Sequence, residues 1–167
     1  LGDLLDSLLD ISRLDVAGIK PDRRPFELQV VFDRLANAFR RAAADRNIVL
    51  RFRHTPLWAD SDPLLVERMI ANLVSNALRY SSISGRVLVV ARRRGEQLLI
   101  EVRDNGIGIA KEHQAEIFAE FYQVGNTARE HNKGLGLGLS IVDRLARALD
   151  IQVALRSRLG EIGRAHV

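Results

Sequence analysis

The sequence contains no cysteine. No disulfide and no thiolate metal site can be built from it, which fits a reducing compartment. Aromatic residues make up only 5% of the chain, so a core has to be assembled mainly from Leu, Val, Ile and Ala. No apolar run approaches the roughly 20 residues needed to cross a bilayer, and no signal-peptide pattern is present. Charge of one sign is not in large excess: 25 basic against 21 acidic side chains leave +4. The basic residues are scattered and are not interleaved with aromatic stacking platforms, so a nucleic-acid partner is not expected. A weakly basic surface with one pocket for an anionic ligand is the simpler reading. What is present in quantity is apolar material, 47% of 167 residues, enough for one globular domain. The chain starts at Leu1 inside an amphipathic pattern. It is expected to be a piece of a longer cytoplasmic or membrane-anchored protein, any membrane segment lying outside it.

Hydrophobic periodicity places the elements. Leu1, Leu4, Leu5, Leu8, Leu9, Ile11 and Leu14 recur near a helical period and predict an N-terminal helix, ended by Gly18 and Pro21. Phe26–Val30 reads as an edge strand limited by Pro25. Val31–Arg46 reads as a helix, and Ile48–Phe52 and Leu57–Ala59 as strands. A helix capped by Asp60 or Ser61 begins near Pro63 and runs to about Tyr80. Arg86–Arg92 and Gln97–Arg103 form a hairpin around Gly95. A short helix at Ala110–Phe118, a polar loop at Val124–Lys133 and a helix at Gly134–Leu149 follow. Ile151–Arg156 and Arg164–Val167 read as strands. Hairpins with helices between the other strands predict an α+β, two-layer α/β sandwich with a mainly antiparallel mixed sheet and helices on one face.

Three constellations carry chemistry. In Asn72-Leu73-Val74-Ser75-Asn76-Ala77-Leu78-Arg79-Tyr80, helical spacing puts Asn72, Asn76, Arg79 and Tyr80 on one side. An Asn carbonyl can hold Mg²⁺, which takes hard oxygen ligands and phosphate oxygens, and Arg79 can neutralise phosphate charge. An ordinary solvated helix face is the alternative. In Asp104-Asn105-Gly106-Ile107-Gly108-Ile109, two glycines let the backbone approach a ligand, and Asp104 can accept a hydrogen bond from a purine amine. A common Asp-Asn-Gly turn is the alternative. In Gly134-Leu135-Gly136-Leu137-Gly138-Leu139-Ser140, three alternate glycines open a helix. Each costs about 1 kcal/mol relative to Ala in a helix interior, a cost best tolerated where bare N–H groups face an anion at a helix N-terminus. The run is neither a Walker loop nor a dinucleotide fingerprint.

Together these segments resemble the N, G1 and G2 boxes of sensor histidine kinases, in the same order. Ile117-Phe118-Ala119-Glu120-Phe121-Tyr122 resembles the F box between the last two. The chain is thus similar to the catalytic domain of the superfamily that also includes gyrase, Hsp90 and MutL. The resemblance implies a Bergerat sandwich with ATP held between helices under a flexible lid. It implies that Asn76 coordinates Mg²⁺. It also places Asn72 where the ATP-hydrolysing relatives carry a catalytic Glu; an amide cannot act as general base, which fits transfer to a histidine. It implies further that Arg79 contacts phosphate, Tyr80 lines the adenine side and Asp104 reads the adenine amine. Gly106, Gly108 and Ile109 then shape that pocket, and Phe118 and Phe121 anchor a lid from about Gln123 to Lys133. Lys133, Gly134, Leu135, Gly136, Leu137 and Gly138 surround the triphosphate.

Residues 1–18 resemble the end of a dimerisation and phosphoacceptor helix, with residues 19–167 as the ATP-binding catalytic domain. Implied partners are ATP, the histidine phosphoacceptor domain of the parent kinase, a response-regulator receiver domain reached indirectly, and a second copy through the N-terminal helix. Phe121-Tyr122-Gln123-Val124-Gly125-Asn126 resembles hybrid kinases. None of His54, His113, His131 and His166 sits in an acceptor-histidine context, and all read as surface or edge residues. Near the C-terminus Ser157, Gly160 and Gly163 follow the family pattern, but Ala165-His166 departs from it. The rival readings are an ATP-binding regulatory module without phosphotransfer, an ATPase, and a docking module with a vestigial site.

Overall fold

The computed structural model describes residues 20–119, 122, 137–157 and 163–166. The elements run β1 (Arg24–Glu27), α1 (Leu28–Asp45), β2 (Val49–Phe52), β3 (Trp58–Ser61), α2 (Pro63–Tyr80), β4 (Arg86–Arg94), β5 (Gln97–Asp104), α3 (Gly138–Leu149), β6 (Ala154–Arg156) and β7 (Gly163–His166). The expected N-terminal helix and the loop at Val124–Lys133 lie outside the described residues.

Five strands form a mixed sheet in the order β2-β4-β5-β7-β6, and β1 pairs with β3 in a separate two-stranded sheet. Among the described residues only the β2–β4 pairing is parallel. The two-layer α+β sandwich expected from the sequence is the fold observed. Its core is built by alternation. Val87 and Val89 of β4, with Ile100 and Val102 of β5, turn toward the helices, where they join Leu28, Phe32, Ile70, Val74, Ile141 and Leu145 in one buried cluster. Phe32 of α1 meets Phe52 of β2 edge-on, ring centroids 5.5 Å apart, a favoured aromatic geometry.

Three local expectations are corrected. The first strand ends at Glu27 and α1 starts at Leu28, earlier than expected, because Leu28, Val31, Phe32 and Leu35 are all buried on the core stripe of the helix. The cap of α2 is Asp62, neither Asp60 nor Ser61: its Oδ1 accepts from the backbone N–H groups of Leu64 and Leu65 at 3.0 and 3.1 Å, while Oδ2 accepts from Asp22 N–H at 2.8 Å. Asp60 and Ser61 are strand residues paired with Pro25 and Arg24. The short helix expected at Ala110–Phe118 is reduced to a 3-10 turn at Lys111–His113 followed by turns. Ala110 provides no side-chain cap, and Gln114 is drawn out to bond a neighbouring loop, as described below.

Candidate functional site

Two clusters form along the side of α2 that is not core. Its apolar residues Val66, Met69, Ile70, Leu73, Val74, Ala77 and Leu78 are buried, which leaves Asn72 and Asn76 half-buried toward α3 and Arg79 and Tyr80 exposed at the C-terminal end. The amide nitrogen of Asn72 donates to the carbonyl of Arg68 one turn earlier, at 2.9 Å. That bond turns its Oδ1 away from its own helix. The opposite wall is the first residue of α3. A Cβ on Gly138 would lie 3.2 Å from Asn76 Oδ1, 3.2 Å from Asn76 Nδ2 and 3.4 Å from Asn72 Oδ1. Glycine therefore leaves a space, walled by two side-chain amides, at a helix N-terminus. Leu137, buried, anchors this entry, and Ser140 Oγ–H donates to its carbonyl at 2.8 Å.

The second cluster lies one to two turns further on, at the C-terminal end of α2. Asp104 ends β5 and continues the alternation of Leu98, Ile100 and Val102, so it sits on the helix side of the sheet. Its Oδ1 accepts from Gly106 N–H at 2.9 Å. Burial raises its carboxyl pKa above the usual aspartate range, opposed by the Gly106 N–H. Gly106 is pressed against α2: a Cβ there would lie 2.5 Å from the carbonyl oxygen of Tyr80. Ile107 N–H donates to the same oxygen at 3.3 Å. Gly108 then takes φ +74°, a conformation that favours glycine.

Two fixtures of this site were missed in the sequence. The guanidinium of Arg46, at the end of α1, donates to the carbonyls of Leu78, Arg79 (2.7 Å) and Ser81 (3.0 Å). It satisfies carbonyls that the end of a helix leaves without intrahelical partners. No local signal marks it, since its partners are over thirty residues away. Gln114 is the other. Its amide donates to the carbonyls of Ile109 and Ser157, both at 2.9 Å, and Ser157 Oγ accepts from Ile109 N–H at 2.8 Å. The loop after β5 is thus held at both ends.

The structure therefore brings Asn72 and Asn76 to Gly138, and the backbone carbonyl of Tyr80 to Gly106 and Asp104, while the Tyr80 side chain is exposed. Arg79 is exposed in the last turn of α2, Ile109 joins the tied loop, and Leu137 is a buried anchor. Phe121, Lys133, Gly134, Leu135 and Gly136 lie outside the described residues. Phe118 is half-buried. His113, read as an ordinary surface or edge residue, is half-buried and pairs through Nδ1 with the Tyr122 hydroxyl at 2.6 Å.

Residues 61–165 match the family described as histidine kinase-, DNA gyrase B-, and HSP90-like ATPase. The chain is 32% identical to sensor protein kinase PmrB of Pseudomonas aeruginosa over 87% of its own length and 30% of that protein's. It is 33% identical to the sensor-like histidine kinase SenX3 of Mycobacterium tuberculosis over 96% of its length and 39% of that protein's. The chain thus spans about a third of the length of these curated relatives. Among solved structures, full-length ShkA in complex with AMPPNP superposes with a TM-score of 0.81 at 24% identity, covering 99% of this chain and 35% of that one. The histidine kinase AdeS of Acinetobacter baumannii gives 0.78 at 20% identity, covering 99% and 77%. At these identities the structures speak for the fold.

Proposed function

The chain belongs to the histidine kinase-, DNA gyrase B-, and HSP90-like ATPase family, and from that premise we propose that it is the ATP-binding catalytic domain of a sensor histidine kinase. In this reading it transfers the γ-phosphoryl group of ATP to a histidine imidazole on a separate domain. The carrying observation is the pair of clusters in the C-terminal half of one helix: amide oxygens opposite Gly138 midway along it, and the half-buried Asp104 carboxyl group beside the Tyr80 carbonyl at its end. A nucleotide has the same polarity, with phosphates at one end and a base bearing an exocyclic amine at the other.

Each residue then has a task. Ionised Asp104 accepts from the adenine amine, and its burial strengthens that bond because the site is shielded from water. Backbone N–H groups at the start of α3 face phosphate oxygens. Asn76, with Asn72 beside it, would hold the Mg²⁺ that the family implies, the ion supplying charge neutralisation at the phosphates. The donor set fits: the space beside Gly138 is lined by hard amide oxygens. Among the described residues no group of three His, Cys, Asp or Glu could hold a metal, so the nucleotide must bring most of the negative charge. In the transfer, an unprotonated imidazole nitrogen forms the P–N bond as the β,γ-bridging P–O bond breaks and ADP leaves.

Asn72 argues against hydrolysis as the main activity. Its amide has no proton-accepting capacity comparable to a carboxylate, and its nitrogen is already engaged by the Arg68 carbonyl. The wider assignment rests on sequence: residues 1–18 as the end of the dimerisation and phosphoacceptor helix, a second copy met through it, and a response-regulator receiver as the next phosphate acceptor. No described helix is long and apolar enough to cross a membrane. A cytoplasmic place for this domain is part of the proposal.

The test is calorimetric titration with AMPPNP, with and without Mg²⁺, followed by transfer from ³²P-labelled ATP to the parent's acceptor domain supplied in trans. Mg²⁺-dependent binding lost in Asp104→Asn, with label on the acceptor histidine, is the expected result. Binding without transfer would convert the reading to a regulatory ATP-binding module. Absence of binding by folded protein would sink the site itself.

A further inference from the structure

Arginines scattered along the sequence gather on one side of the five-stranded sheet. Side chains alternate across a strand, and Val87, Val89, Ile100 and Val102 point into the helix-covered core. The intervening residues face the other way. They include six arginines, Arg51 of β2, Arg86, Arg92 and Arg94 of β4, Arg103 of β5 and Arg156 of β6. The register sets Arg51, Leu88 and Arg103 in one transverse row, which continues through position 164 of β7 to Arg156. Among the described residues of these strands, the one acid on that side is Glu101. It is 3% exposed and lies between the guanidinium groups of Arg92 at 3.2 Å and Arg103 at 2.6 Å. The whole chain carries a net charge of only +4, so six arginines against one carboxylate exceed the entire excess. Half-buried Leu88 and Leu99 lie between these arginines, with Val90, only 7% exposed, beside them.

We propose that this sheet face docks an acidic protein surface. An apolar centre bordered by arginine is the make-up of a protein–protein interface, and a guanidinium matches a carboxylate with two parallel hydrogen bonds. Glu101 already holds Arg92 and Arg103 in place, so less side-chain freedom is lost when a partner arrives. Nucleic acid fits less well, because single strands are gripped by stacking on aromatic rings, and the only aromatic residue in β2, β4, β5 and β6, Phe52, packs with the core. An anionic membrane fits less well too: aromatic residues anchor proteins at its interface, and these strands contain no lysine to add to its attraction. The face is the reverse side of the sheet from Asp104, so nucleotide and partner can be bound together.

The test uses the whole chain and poly-L-glutamate as an acidic polypeptide probe, beside duplex DNA and phosphatidylserine vesicles at the same salt concentration. Expected are salt-sensitive binding of poly-L-glutamate and amide shift changes in β2, β4, β5 and β6. The variant Arg51→Glu/Arg94→Glu/Arg156→Glu should bind it about tenfold or more weakly, with AMPPNP affinity unchanged. If that variant does not fold, the Gln triple at the same positions replaces it. No binding of poly-L-glutamate, equal binding by the substituted chain, or tighter binding of DNA or vesicles than of poly-L-glutamate would overturn the proposal.

Discussion

Replacing Gly106 by alanine puts a methyl group where the fold has no room. The new carbon would lie 2.5 Å from the carbonyl oxygen of Tyr80, 3.0 Å from its carbonyl carbon and 2.9 Å from Asp104 Oδ1. Non-bonded heavy atoms are at rest near 3.5 Å, so the contact with Tyr80 must open by about 1 Å. Two of the three atoms are backbone of α2, which Arg46 pins, and the loop therefore has to move. That movement strains the Ile107–Tyr80 bond at 3.3 Å and the Gly106–Asp104 bond at 2.9 Å. Overpacking costs about 1–3 kcal/mol and a lost hydrogen bond about 1 kcal/mol. The reduced freedom of the unfolded chain offsets about 0.4–1 kcal/mol. The net destabilisation is about 1–3 kcal/mol, a Tm lower by roughly 3–10 °C for a domain of this size. Thermal unfolding followed by circular dichroism measures it, with AMPPNP titration alongside, because displacement of Asp104 should also abolish binding. Gly95→Ala is the control. Its φ is +63° and an added Cβ meets nothing within 4 Å, so it should lose about 1 kcal/mol and bind normally. A Gly106→Ala protein that melts within a degree of the parent and binds AMPPNP normally would refute the reasoning.

Other outcomes follow from the same geometry. Asp104→Asn should abolish nucleotide binding yet leave the unliganded fold as stable or more so at neutral pH. Because burial raises the folded-state pKa, this group's stabilising contribution is present below the unfolded value near 3.8 and is lost as pH rises through the folded one. The melting-temperature difference, variant minus parent, should therefore increase from pH 4 to pH 7, and nucleotide affinity of the parent should fall on acidification above the usual aspartate range. Gly138→Ala should change stability by less than about 1 kcal/mol, since helix propensity favours Ala and the side-chain amides at 3.2 and 3.4 Å can give way. Calorimetry should nevertheless show Mg²⁺–AMPPNP affinity reduced about tenfold or more, as the methyl fills the space between those amides. Arg46→Ala should cost about 1.5–3 kcal/mol, the range for hydrogen bonds to a charged group, read by urea unfolding. Arg46→Lys should recover only part, because an ammonium lacks the planar fork.

Much of this was legible along the chain because it is local. The 3.6-residue period of α2 places Asn72 and Asn76 on one stripe whatever packs beside it. The period-2 run Leu98, Ile100, Val102 already assigns Asp104 to the core side of the sheet. The cap of α2 was misplaced by one or two residues because Asp60, Ser61 and Asp62 are all competent caps. Strand pairing with β1 claims the first two. The start of α1 shifted for a similar reason: burial of Leu28 against the rest of the core outweighs the β-branched look of Val30 and Val31.

The sequence by itself thus determined the order of elements, the polar stripe of α2 and the glycines that mark where backbone must come close. Tertiary structure alone decided what they come close to. Gly138 meets Asn72 and Asn76 over sixty residues away, Arg46 closes the end of α2, Gln114 and Ser157 tie the loop that carries Gly108, and arginines from four strands share one face. Such pairings depend on how helices cross and how strands align, which is set by the burial of the whole apolar core and is not encoded in any local stretch of the chain.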